Sequence, residues 1–114
     1  MIRAMKSLKF RNYLVPLVLS GEKTSTWRLF DDKDLSIGDE VELKEFVTLK
    51  HFANAKLTKV VEKPFRDLSD EDRQGHEVFN SDAEMYDNYT MYYKTEVGPD
   101  TLVKIIWFDL TEEF

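Results

Sequence analysis

A chain of 114 residues with 42% apolar and 13% aromatic side chains can build one real hydrophobic core, and its 33% charged residues suit a soluble globule rather than a disordered chain. The absence of cysteine excludes disulfides, a thiol nucleophile and thiolate metal sites, and fits a reducing compartment. The formal net charge of −6 argues against a protein that coats nucleic acid non-specifically.

The charge is unevenly placed. Arg3, Lys6, Lys9, Arg11, Lys23 and Arg28 stand against only Glu22 at the basic N-terminal end, and the acidic excess falls on the rest. Such a stretch either makes an anion-attracting face or pairs with the acidic body across the fold. No apolar run of the kind a signal peptide needs follows Met1–Lys6. Leu14–Leu19 is too short to cross a bilayer and contains Pro16. A cytoplasmic protein without membrane contact, read as one domain over residues 1–114 and as a monomer, is expected.

Lys6–Phe10 alternates, with Leu8 and Phe10 on one face, as a half-buried strand does. Leu14–Ser20 reads as a short helix that starts near Tyr13, because Pro16 is tolerated only in a first turn. Gly21 can take the left-handed conformation that stops it. Thr24–Phe30, rich in β-branched and aromatic residues, is the second strand, followed by a polar turn at Asp31–Asp34. Further strands are predicted at Glu40–Phe46 and Phe52–Val61. Ala53, Ala55 and Leu57 share a face of the latter, and Val60-Val61 marks a bulge or its end. Pro64 opens a helical region. Ser81-Asp82-Ala83-Glu84 has the form of a capping box, and the helix behind it runs to about Lys94. Leu102–Leu110 is nearly continuously apolar and so belongs in the middle of a sheet. The order β-α-β-β-β-α-α-β predicts an α+β domain built on a small, mostly antiparallel sheet or barrel with helices at one end.

The segment Gly21-Glu22-Lys23-Thr24-Ser25-Thr26-Trp27-Arg28 concentrates the chemistry. The glycine lets backbone come close, Lys23 and Arg28 supply charge and donors, and the hydroxyls donate or attack. Strand parity puts Thr24, Thr26 and Arg28 on one face and Ser25 and Trp27 on the other. If the first face lines a cleft, Trp27 falls on the core side instead of stacking on a base. The same pattern also describes an ordinary surface strand with solvated charges. His51 and His76 make no metal spacing and read as surface or loop residues, with His76 beside Glu77 at the border of any cleft. Asp31, Asp32 and Asp34 lack the glycine and distal glutamate of a calcium loop and read as a solvated turn. Tyr86, Tyr89, Tyr92 and Tyr93 read as a helix's core face. No metal and no cofactor is expected.

Gly21, Lys23 and Arg28 form G-x-K-x-x-x-x-R, and with the preceding helix, the Leu35–Val41 turn and strand and the closing Val103–Leu110 strand the chain resembles the ASCH family over essentially its whole length. The resemblance implies a PUA-like β-barrel, related to a known RNA-binding fold, with the signature lining a cleft between barrel and helices. RNA, or a nucleoside or nucleotide, is then the expected partner, held by Gly21, Lys23, Thr24 and Arg28. One bacterial branch of similar size hydrolyses the acetyl amide of N4-acetylcytidine with a lysine, a threonine and a glutamate. Carried over, these fall on Lys23 as base, Thr26 as nucleophile and Glu77 as proton carrier. A binding module ranks ahead of the amidohydrolase, and a protein–protein adaptor is the third reading.

Overall fold

The computed structural model describes residues 5–31 and 33–114; Arg3 of the basic stretch and Asp32 of the polar turn lie outside them. Five strands form one sheet in the order β1-β3-β4-β5-β2: β1 (Lys6–Phe10), β2 (Ser25–Arg28), β3 (Glu40–Glu45), β4 (His51–Pro64) and β5 (Leu102–Glu113). β1 runs parallel to β3, with Leu8 opposite Leu43, and the other three pairings are antiparallel. The helices are α1 (Val15–Ser20), the single turn α2 (Asp70–Arg73) and α3 (Asp82–Tyr93), with a 3-10 turn at Phe65–Asp67 before α2.

The sheet curls into a half-barrel with an apolar layer on each face. Inside the curl, Leu8, Phe10, Val41, Leu43, Ala55, Leu57, Ile106 and Phe108 pack with Val18 of α1. On the other face Trp27, Phe65, Val103 and Ile105 meet Met85 and Tyr89 of α3. β5 therefore feeds both layers by strand alternation, with Val103 and Ile105 on one side and Ile106 and Phe108 on the other. That is why its sequence is apolar almost throughout, and it lies between β4 and β2.

Local chemistry sets most element ends. Pro16 sits in the first turn of α1, and Gly21 stops it at φ 84° with its N–H on the Val18 carbonyl. β4 runs on to Pro64, past the expected end, because β5 continues opposite it as far as Leu102. Its register slips between Asn54 and Ala55 and between Leu57 and Lys59, not at Val60-Val61. The α3 cap is only half the expected box. Ser81 Oγ accepts from the Glu84 N–H at 3.1 Å, but the Glu84 carboxylate takes Asn80 Nδ2 at 3.1 Å instead of the Ser81 N–H. A complete box lies at α2, where Ser69 Oγ accepts from the Asp72 N–H (3.2 Å) and Asp72 accepts from the Ser69 N–H (2.9 Å). Asp31 also differs from expectation: its side chain is 5% exposed and ion-paired with Lys104 at 2.7 Å, a fastener between the β2–β3 loop and β5 instead of a solvated turn. Among the described residues no helix is long and apolar enough to cross a membrane.

Candidate functional site

The curl brings the two sheet edges, β1 and β2, to within one side chain of each other. Arg28 spans the gap: its Nη2 donates to the Lys9 carbonyl at 2.9 Å, its Nε to Thr26 Oγ1 at 3.0 Å, and its charge lies 5.1 Å from the centre of the Phe10 ring. Beside this closure a cavity of about 230 Å³ opens between the edges and α3. Lys23, Thr26 and Arg28 line it together with Glu77, which is 54 residues from Lys23 in sequence. Gly21 and Thr24 do not line it. Gly21 ends α1, and Thr24 is exposed with its backbone tied to Gly75.

The loop carrying Glu77 is fixed by β2 itself. The Gly75 carbonyl accepts from the N–H groups of Thr24 (2.9 Å) and Ser25 (3.1 Å), and Ser25 Oγ donates to the Gln74 carbonyl at 3.1 Å. Gly75 holds φ 76°, and a Cβ there would stand 2.0 Å from Thr24 Oγ1, so no other residue allows this approach unchanged. Two residues later Glu77 meets the Lys23 ammonium in a hydrogen-bonded ion pair. The Lys23 side chain is 3% exposed and Glu77's is 32%, so the cation is buried and the carboxylate faces the opening.

Burial lowers the Lys23 pKa, Glu77 opposes this, and Arg28 adds to it; the net shift is downward. For Glu77 burial raises the pKa, but the charges of His76 and Lys23 outweigh it and hold the carboxyl below its usual value. Lys23 has no acceptor but Glu77 among the described residues. Two of its three N–H groups are thus unused.

His76 lies in the loop and borders the cavity as the sequence reading expected, but it is buried instead of at the surface. Its side chain is 2% exposed, stacked on Trp27 at 3.9 Å between ring centroids, with Nδ1 3.0 Å from the Glu77 carbonyl oxygen and Nε2 3.4 Å from the Tyr89 hydroxyl. Burial, with Lys23 nearby, pushes its pKa down to about 4, so the ring is neutral at pH 7. Trp27 is core, 3% exposed, yet it also borders the cavity, and its indole Nε1 has no partner among the described residues. Tyr86, Tyr89 and Tyr93 pack on the core, and Tyr89 and Tyr93 together with Tyr92 also line the cavity. The basic end also divides. Lys6 pairs with Asp39 at 2.8 Å and Lys23 with Glu77, whereas Lys9, Arg11 and Arg28 line the cavity without a carboxylate partner among the described residues. Arg11 was visible in the sequence only as one of six clustered cations. Among the described residues no group of three potential ligands could hold a metal ion.

The sequence matches no protein-family model and no curated protein. Solved structures do match. A protein from Enterococcus faecalis V583, described under the family model DUF984, is 20% identical over 100% of this chain and 85% of its own, with a TM-score of 0.78. The ASCH domain from Lactobacillus crispatus is 16% identical over 96% of this chain and 81% of its own, with a TM-score of 0.73. An ASCH protein from Zymomonas mobilis is 17% identical over 90% and 65%, with a TM-score of 0.60. At these identities the likeness is one of fold: the chain has the α+β, PUA-like architecture of ASCH domains.

Proposed function

We propose that this ASCH-fold chain binds one nucleoside or nucleotide unit, free or within RNA, in the cavity at Lys23, Thr26, Arg28 and Glu77. The observation that carries the reading is the buried Lys23–Glu77 pair with two ammonium N–H groups unused at the cavity. A buried cation held in this way costs stability unless a ligand acceptor completes it. Glu77 is acceptor-only when ionised, so the pair offers a donor and an acceptor side by side, the pattern a nucleobase edge reads. Tyr89, Tyr92 and Tyr93 supply flat apolar walls. At about 230 Å³ the cavity has room for one small unit and lies below the usual range for larger ligands. Titration calorimetry with nucleosides and nucleotides tests the reading: wild-type protein gives saturable binding, Lys23→Met and Arg28→Ala weaken it, and unchanged affinity in Arg28→Ala removes the cavity from consideration.

A second reading, amide hydrolysis of an N4-acylated cytidine, is favoured by the net lowering of the Lys23 pKa beside the Thr26 hydroxyl. Neutral Lys23 would take the Thr26 proton as Thr26 Oγ1 attacks the acyl carbon. The C–N bond then breaks, the departing amine takes a proton from the Lys23–Glu77 pair, and water releases the acyl group from Thr26. In this structure Thr26 Oγ1 accepts from Arg28 and Lys23 is engaged with Glu77, so the base must first leave its partner. Conversion of N4-acetylcytidine to cytidine, followed by chromatography with Lys23→Ala as control, tests it.

A further inference from the structure

Arg11 takes no part in the reading above, yet it is set into the same cavity. It follows the last residue of β1, half-buried, and its guanidinium carbon lies 4.0 Å from the centre of the Phe46 ring and 5.3 Å from that of Tyr92. Phe46 follows β3 and Tyr92 belongs to α3, so the cation joins two walls of the cavity. Attraction to a ring face uses the charge and leaves the N–H groups available. Among the described residues none of the Arg11 donors has a hydrogen-bond or ion-pair partner. Among the described residues Glu77 is the only carboxylate lining the cavity, and it is engaged by Lys23. Among the described residues Lys9, on the same lining, has no carboxylate partner and the Nη1 of Arg28 has no acceptor.

A guanidinium set against two rings, with its donors unused and two more cations on the same lining, presents a planar fork that can donate to two oxygens of a tetrahedral phosphate. We propose that Arg11 is a phosphate anchor, so that the cavity takes a nucleotide in preference to a free nucleoside. Phosphate oxygens would sit on the Arg11 fork while the base addresses Lys23 and Glu77. This rests on the nucleotide-binding reading and adds the anionic group to it. The shared chemistry is a phosphate on a ribose, and its source is either a terminal monoester or an RNA backbone diester.

Titration calorimetry at fixed ionic strength decides it, using the four ribonucleosides, their 5′-monophosphates and the matching dinucleoside monophosphates. In wild-type protein the best monophosphate or dinucleotide is expected to bind about tenfold or more tightly than its nucleoside. Tighter monophosphate binding identifies a terminal phosphate, and tighter dinucleotide binding a backbone phosphate. Arg11→Gln should abolish the phosphate advantage and leave nucleoside affinity within about twofold, with Arg11→Lys restoring part of it by charge alone. Equal wild-type affinity for nucleosides and nucleotides overturns the anchor and leaves the cavity reading intact. If Arg11→Gln weakens both ligands equally, Arg11 is only a latch between Phe46 and Tyr92. Absence of binding by every probe rejects the cavity reading and the anchor together.

Discussion

Lys104–Asp31 and Lys23–Glu77 are both lysine–carboxylate pairs with one nearly buried member, and they are built to opposite ends. Asp31 accepts from Lys104 Nζ at 2.7 Å and from the backbone N–H groups of Lys33 and Leu35 at 2.9 Å each, while Lys104 also donates to the Leu35 carbonyl at 3.2 Å. Burial raises the Asp31 pKa, but those hydrogen bonds outweigh it and keep the carboxylate ionised. Around Lys23 the inventory is incomplete: one ion pair, two unused donors and a cavity on the open side. The first pair is finished by the fold. The second is left for something the fold does not supply, and that difference separates a structural charge from a candidate site better than burial does.

The largest expected effect comes from breaking the finished pair. Lys104→Met strands the Asp31 carboxylate, whose side chain is 5% exposed, and should lower unfolding free energy in urea by about 3 kcal/mol. Lys23→Met removes a buried cation and leaves Glu77, 32% exposed, to hydrate; stability should change by less than about 1 kcal/mol while ligand binding weakens. Equal destabilisation by the two would mean that Lys23 is a fastener like Lys104.

The unfinished pair should also leave a mark on the pH profile through His76, which Lys23, Glu77, Arg28 and Tyr89 surround. The folded ring titrates at about 4 against 6.5 when unfolded, so between those values the unfolded chain binds the extra proton. Its contribution is fully present above pH 6.5 and is lost as pH falls towards 4, about 3 kcal/mol in all. The depressed carboxyls of Asp31, Asp72 and Glu77 act at still lower pH. Urea titrations at pH 7 and pH 4.5 on wild type and His76→Gln measure this, and an unchanged slope in the variant would contradict the burial of the ring.

What the sequence made legible was local. Leu8 and Phe10 on one face, the Pro16 and Gly21 ends of α1, the apolar β5 and the shared neighbourhood of Lys23, Thr26 and Arg28 all follow from spacing along a few residues. What escaped depends on partners distant in sequence. The parallel β1–β3 pairing joins Lys6 to Val41, Asp31 is buried by Lys104, and His76 by Trp27. A histidine in a polar loop carries no local sign that an indole 49 positions earlier will cover it. The site was half legible for the same reason: β2 could be read, and the wall made by Arg11, Phe46 and α3 could not.

A smaller effect is expected at the glycine that docks the Glu77 loop onto β2. Gly75→Ala meets both a left-handed backbone at φ 76° and a contact with Thr24, which together should cost about 2 kcal/mol. Part of that strain can be relieved by moving the loop, and Glu77 would move with it. The variant should therefore lose ligand affinity as well as Tm, whereas Gly38→Ala, at φ 88° with open space around the added methyl, should lose Tm alone. Parallel loss of affinity in both would show that the effect is general loosening.

The smallest stability effect, and the sharpest division of function, belongs to Thr26. Its Oγ1 accepts from Arg28 Nε at 3.0 Å, so Thr26→Ala removes one hydrogen bond that the guanidinium can replace with water at the cavity, a change of less than about 1 kcal/mol. Under the binding reading, affinity for a nucleotide should fall by no more than about threefold, because Lys23, Arg28 and Glu77 remain. Under the hydrolytic reading the same variant lacks the attacking oxygen, and release of cytidine from N4-acetylcytidine should drop to background while binding persists. Thr26→Ser separates the two further: a serine hydroxyl retains the nucleophile and the Arg28 contact, so turnover surviving in Ser and absent in Ala would assign the oxygen a chemical role. Wild-type protein that binds nucleotides and leaves the acetyl amide intact would fix Thr26 as an acceptor that orients Arg28.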